Sequence, residues 1–290
     1  MRILRGIGTL CALVIFAIIP LSAQQLYITN EGSAVIQLLD LNTGALSILY
    51  TVGIGKAFNP DDLTLNSQGQ LIYSVPNQGT VNLFDPKTGT NTILTSGIGA
   101  ARDLAIEPGG QSMLIAKYVT PPEILRYNFV THTTTILVPK AAKLGTCDGI
   151  AYDPYGNLYA VANHNTIVQI DPVSGAILAT LVLEPHNGVN GGDGLTYDSF
   201  TGSLWATHDG KVLGTGLIQI PVSPSGFTPG NFSFYPLTAG NVDGIKSDGK
   251  GNLYIGAIHN ALEYNIPTHT MTKSFVVKGA DGVALVPGTY

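Results

Sequence analysis

Short apolar runs alternate with polar turns from residue 25 to the end of the chain, and no stretch in that span reads as a helix of any length. The pattern is plainest just after Cys147. Residues 149–152 predict a first strand. Asp153-Pro154-Tyr155-Gly156-Asn157 predicts a turn, because proline presets φ while glycine and asparagine accept positive φ. Residues 158–162 predict a second strand, His164-Asn165 a turn, and 166–170 a third strand. Asp171-Pro172-Val173-Ser174-Gly175 turns the chain into a fourth strand over 176–183. Four short antiparallel strands in succession make one blade of a β-propeller.

The unit recurs. Asp148-Gly149 returns as Asp193-Gly194, Asp243-Gly244 and Asp281-Gly282, and in altered form as Asp62-Leu63 and Asp103-Leu104. The intervals, about 40 to 50 residues, match propellers, solenoids or arrays. The last turn checks the register. Asp40 to Gly44 and Asp85 to Gly89 repeat the pattern of Asp171 to Gly175, and Asn128 to His132 and Asn265 to His269 follow it with histidine in the glycine place. That place needs φ > 0, which His tolerates better than most residues, so His132 and His269 are expected to be turn residues. Leu26 to Asn30 matches a second strand and Asp281 to Val286 a first strand, so the two segments should complete one blade and leave no open edge. The expectation is an all-β, six-bladed β-propeller with four antiparallel strands per blade, forming one domain over residues 25–290. Blade five departs from the pattern, with 211–216 and 223–231 lengthening its loops.

Composition narrows the function classes. The formal charge is -5, and no basic stripe exists to neutralise phosphates, so a nucleic-acid partner is set aside. Residues 1–23 carry Arg2 and Arg5, an apolar run from Leu10 to Ile19, and Pro20-Leu21-Ser22-Ala23, the layout of an export signal peptide cleaved near Ala23. The run is shorter than the ~20 residues of a spanning helix. The mature protein is expected to be secreted or periplasmic and monomeric, with no stable membrane insertion. It would retain only Cys147, and so no internal disulfide.

Antiparallel alternation brings every first-strand start, the second-to-third turns and the blade-to-blade loops to one face. Asp62, Asp103, Asp148, Asp193, Asp243 and Asp281 should therefore ring the channel mouth. Six carboxylates held together raise one another's pKa or recruit a cation, and hard ions such as Ca²⁺ take several oxygen ligands. Two readings stand side by side: a divalent-metal site, with Ca²⁺ or Zn²⁺ as candidates, or carboxylates that accept backbone N–H groups and fix the blade junctions. His164, His208 and His259 fall in equivalent turns on the same face, with His186 in the exit loop of blade four. Asn30, Asn77 and the Lys117-Tyr118 region are their counterparts in other blades. A neutral imidazole there could act as a general base, or these are simply polar turn residues. His208, His259 and Asp148 are the catalytic candidates. His164, His186, His208, His259 and Asn77 are the ligand-binding candidates. Trp205 and Cys147 read as packed side chains.

Leu26-Tyr27-Ile28-Thr29-Asn30-Glu31-Gly32-Ser33 resembles the opening of YVTN-type repeats. Asp148-Gly149 with Gly156-Asn157-Leu158-Tyr159, followed by Asp171-Pro172-Val173-Ser174-Gly175, resembles the SMP-30/gluconolactonase and NHL-like propellers over essentially all of residues 25–290. The resemblance to SMP-30-like enzymes implies metal ligands at the strand starts, with Asp148 the best match, and hydrolysis of lactones or esters. In place of that family's mixture of Glu, Asn and Asp, the six strand-start positions read here are all Asp. The resemblance to YVTN and NHL repeats implies instead a non-catalytic module that binds a small polar molecule or a protein.

Overall fold

The computed structural model describes residues 24–118, 123–142, 144–184 and 193–289. Six separate sheets are present, and the strand order within them is that of a six-bladed propeller. Blade one joins Gln25–Asn30, Val35–Asp40 and Leu46–Thr51 to the late strand Ala280–Leu285, with Leu26 opposite Leu285 and Tyr27 opposite Ala284. The split blade is thus closed as expected. Blades two to six each start from an inner strand: Leu63–Leu65, Ala101–Ile106, Cys147–Tyr152, Leu195–Asp198 and Val242–Ser247. No α-helix occurs among the described residues, only three short 3₁₀ turns. None of the described segments is a helix long and apolar enough to cross a membrane. The export reading concerns residues 1–23, outside the described residues.

The packing explains why blades, which alternate apolar and polar positions, associate face to face. Six apolar clusters each bridge two neighbouring blades. Leu114, Ala116 and Ile124 of blade three meet Ile150, Leu158 and Ala160 of blade four, and Trp205 and Leu217 of blade five meet Ile245, Leu253 and Ile255 of blade six. Fully burying one such side chain stabilises by roughly 1.5–3 kcal/mol, so each interface is held by many similar contributions. The fourth strands form the rim, where Ile48, Ile93 and Ile136 remain more than half exposed.

The turns follow the sequence reading. His132 and His269 have φ of 54° and 53°, beside 74°, 71° and 73° at Gly44, Gly89 and Gly175. In each turn the leading Asp or Asn folds back on the backbone: Asp40 Oδ1 accepts the Asn42 and Thr43 N–H groups, and Asn128 Oδ1 those of Val130 and Thr131. Blade five differs from expectation. Its second and third strands, Ser203–Gly210 and Gly214–Ser223, run on as paired strand where a loop over 211–216 was expected, leaving a tight turn between them.

Candidate functional site at the channel mouth

The inner strands share a bulge, and the bulge builds the site. In blade four the pairing jumps from Cys147↔Ala162 to Ile150↔Ala160, so Asp148 and Gly149 stand opposite one residue. The same jump sets Asp243 and Gly244 apart in blade six, Asp281 and Gly282 in blade one, and Arg102 and Asp103 in blade three. An extra residue re-aims the side chains around it. Here the first bulge residue of each of these strands lines the axial cavity.

This register corrects the sequence alignment. Asp103 stands where Gly149 does, and the ring position of blade three belongs to Arg102. Blade two behaves alike. The Ser74 N–H bonds to the Asp62 carbonyl as the Thr207 N–H bonds to that of Gly194, which places Asp62 with the glycines and Asp61 in the ring. The ring is therefore Asp61, Arg102, Asp148, Asp193, Asp243 and Asp281. All six aspartates expected at the mouth still line the cavity, joined by Asp61 and Arg102.

The second bulge position shows why Asp-Gly recurs. A Cβ on Gly149 would lie 2.6 Å from the Asp193 carbonyl oxygen, one on Gly194 2.5 Å from that of Asp243, and one on Gly244 2.8 Å from that of Asp281. Neighbouring inner strands approach too closely there for a side chain. Where aspartate takes the place, its carboxylate reaches across the gap. Asp62 Oδ2 accepts the Leu104 N–H at 3.0 Å and Asp103 Oδ2 accepts the Ile150 N–H at 2.6 Å. These two residues fit the junction-fixing reading. Lys246, on the blade-six inner strand, brings Nζ within 3.9 Å of Asp62 Oδ1. Burial opposes its charge, yet Asp62 and Asp103 hold its pKa above the usual lysine value.

At the mouth the chemistry is lopsided. His164, in a turn with φ of 59°, points Nδ1 at Asp193 Oδ1 (3.3 Å) and Asp148 Oδ2 (3.4 Å), while Nε2 lies 3.2 Å from the Tyr118 hydroxyl. The Arg102 guanidinium sits 5.0 Å from the centre of the Tyr118 ring, pairs with Asp61, and approaches Glu31 Oε1 at 3.8 Å. The cavity these groups line measures about 150 Å³. A neighbouring cavity of about 190 Å³ shares Asp193, Asp243 and Asp281 and adds Glu31 and Asp209.

Crowding shows in the acidities. Burial, then Asp193, push Asp148 up to about 9 against the pull of Arg102. Burial, then Asp193, raise Asp243 to about 7, while a bond to Asp281 and the charge of Arg102 restrain it. Asp61, Asp103 and Asp281 are also raised well above the carboxylate range, with burial the main cause. A site that penalises its own charge in this way favours a bound cation or a proton.

Of the histidines, His164 alone among the described residues lines the axial cavity. His208 lies inside the lengthened strand Ser203–Gly210 and is fully buried, its Nε2 3.5 Å from Glu184 Oε2 and its ring edge-on to Phe234. The extra strand length turned an expected mouth residue into a core one. His259 is an exposed turn residue whose carbonyl accepts the Val277 N–H. Exposed Asn77 donates to the Lys56 carbonyl at 3.0 Å and ties two short turns together. Neither lines the axial cavity. His186 lies outside the described residues. Trp205 and Cys147 are buried in the core as expected, and burial followed by Asp148 and Asp103 raises the Cys147 thiol.

Sequence reasoning passed over Asp61, Arg102, Glu31 and Lys246, and named Tyr118 only as a counterpart of the histidine turns. The doublet Asp61-Asp62 was the available signal for Asp61, since either residue could hold the ring position.

Among the described residues, two sets of side chains bring ligand atoms within 4.8 Å of one another: Asp148, His164 and Asp193, and Glu31, Asp61 and Asp281. The first combines an imidazole with two carboxylates, a donor set that suits zinc and similar borderline ions.

No protein-family model matches the chain, and no curated protein matches it. Solved structures do. The chain is similar to a propeller in a nidogen/laminin complex, with 16% identity, TM-score 0.72, and 91% of this chain and 98% of that one covered. It is similar to virginiamycin B lyase from Staphylococcus aureus, with 16% identity, TM-score 0.61 and coverage of 90% and 88%. A gluconolactonase from Xanthomonas campestris matches with 10% identity, TM-score 0.64 and coverage of 77% and 78%. At these identities the likeness is one of fold.

Proposed function

We propose that this protein is an exported propeller whose channel mouth binds a divalent cation on Asp148, His164 and Asp193 and, beside it, a small polar carbonyl compound, which it hydrolyses as a lactone or related ester. One observation carries the reading: a single imidazole nitrogen stands 3.3 and 3.4 Å from carboxylates of two successive blades, at the lip of a cavity. The break in symmetry supports it further. Five ring positions are acidic, while Arg102, Tyr118 and His164 gather on one side, as a site for an asymmetric ligand requires.

A cation held there would supply Lewis acidity to a substrate carbonyl. The chain's own residues provide the rest. Asp243, with a pKa near 7, is suited to accept the proton of an attacking water at neutral pH. Arg102, anchored by Asp61, presents a fixed positive charge to a polarised substrate oxygen.

The test titrates Zn²⁺ and Ca²⁺ into the chelator-treated protein, with melting temperature and bound metal as readouts, and then assays a lactone panel with and without EDTA. Metal-dependent stabilisation and EDTA-sensitive turnover are expected. Absence of bound metal would remove the site. Metal binding without turnover on any lactone or ester would leave a non-catalytic module of the YVTN or NHL type.

A further inference from the structure

The second acidic group lies at the place where the ring is closed. Glu31 follows directly on the strand Gln25–Asn30, Asp281 sits on the strand Ala280–Leu285 that pairs with it, and Asp61 precedes the inner strand of blade two. One carboxylate oxygen from each lies within 4.8 Å of the others. The Glu31 N–H already bonds to the Gly279 carbonyl at 3.1 Å, which fixes its turn against the late strand.

Two features separate this group from an ordinary acidic patch. Asp281 is 5% exposed and, the neighbouring Asp243 carboxyl apart, its Oδ2 finds no hydrogen-bond partner among the described residues. An enclosed carboxylate oxygen without a donor bears its desolvation penalty uncompensated. The charge count is the other. Three carboxylates face one guanidinium, that of Arg102, which touches Asp61 and lies 3.8 Å from Glu31, so with its ligands ionised the group outnumbers that cation by two. One dication would balance the closure group, and a dication at the imidazole group would touch none of its three ligands. The ligands differ in kind as well: all-oxygen here, mixed nitrogen and oxygen there, a difference that sorts hard calcium-type ions from borderline ones.

We infer that Glu31, Asp61 and Asp281 form a second cation site, selective for calcium-type ions, that fastens the N-terminal turn to the C-terminal strand and locks the ring. It shares no ligand with the imidazole site. A cation that binds only the closed ring stabilises it by mass action.

The experiment uses the full chain, with Ca²⁺ as the hard probe, read by calorimetry and melting temperature, and Co²⁺ as the borderline probe, read by its visible absorption on binding an imidazole. Ca²⁺ should bind and raise the melting temperature. Glu31→Gln alters an exposed side chain, so the variant should fold; it and Asp281→Asn should each weaken Ca²⁺ binding by about tenfold or more and leave the Co²⁺ band in place. His164→Gln should do the reverse. The inference is overturned if wild-type protein neither binds nor is stabilised by Ca²⁺, if Glu31→Gln leaves Ca²⁺ affinity unchanged, or if His164→Gln removes the Ca²⁺ and Co²⁺ responses together. Loss of the Co²⁺ band alone, with the Ca²⁺ pattern intact, would defeat only the imidazole-centred function and would support the closure site.

Discussion

Blades two and three treat their inner aspartates differently from blades four, five, six and one. On the first side Asp62 and Asp103 turn their carboxylates sideways to the Leu104 and Ile150 N–H groups, with Lys246 as a built-in cation. On the other, Asp148, Asp193, Asp243 and Asp281 precede a glycine, and their carboxylates crowd a common cavity. One residue type therefore does two jobs, separated by a one-residue step along a bulged strand. Position relative to the bulge, more than residue identity, decides whether an acid cements blades or faces the axial cavity.

The sharpest way to break this contrast is to place a side chain where the glycines allow none. Gly194→Ala sets a Cβ 2.5 Å from the Asp243 carbonyl oxygen, an overpacking of backbone against backbone. It should cost about 3 kcal/mol, seen as a fall of roughly 6–10 °C in melting temperature. Asp103→Ala attacks the other side by leaving the buried Ile150 N–H without its acceptor. A loss of about 1–2 kcal/mol in urea unfolding is expected, with Asn at the same position restoring part of it through its carbonyl oxygen. A loss as large in His259→Ala, an exposed turn variant, would deny the junction its special standing.

The gentlest probe is pH. The folded pKa values of Asp148 and Asp243, about 9 and about 7, lie above the ordinary carboxylate value. Groups raised in this way favour the folded state fully below their unfolded pKa, and the contribution is lost as pH rises through the folded values. In EDTA, the melting temperature should therefore decline between pH 5 and pH 9, and Asp148→Asn should flatten the upper part of that decline. A saturating divalent ion should restore most of the loss at pH 9. An unchanged slope in Asp148→Asn would show that the crowding lies elsewhere.

Much of the fold was legible because its signals are local. Proline, glycine and asparagine at fixed offsets mark the turns, and His132 and His269 could be assigned to the glycine place by conformational tolerance alone. The split blade was legible because each end of the repeat pattern lacks what the other supplies. The ring register was not, since Asp61-Asp62-Leu63 and Arg102-Asp103-Leu104 fit the Asp-Gly pattern equally well at either step, and only the pairing partners choose between them. His208 was misplaced for a related reason: a strand that continues past its usual end leaves no local mark, and Thr207, His208 and Asp209 look like a turn until Gly216 and Thr215 are found opposite. The partnership of Arg102 with Asp61 and Tyr118 joins residues of different strands and blades, beyond the reach of any spacing argument.

The pairing of Leu26 with Leu285 has a kinetic meaning as well. It unites almost the first and almost the last of the described residues, so the loop it closes is nearly the whole chain, the kind of contact that forms late and slows folding. During synthesis, Gln25–Asn30 has to wait with one edge unpaired until Ala280–Leu285 emerges. The interval before that final zipping is when the nascent chain is most open to capture by a chaperone, or by the matching edge of another copy.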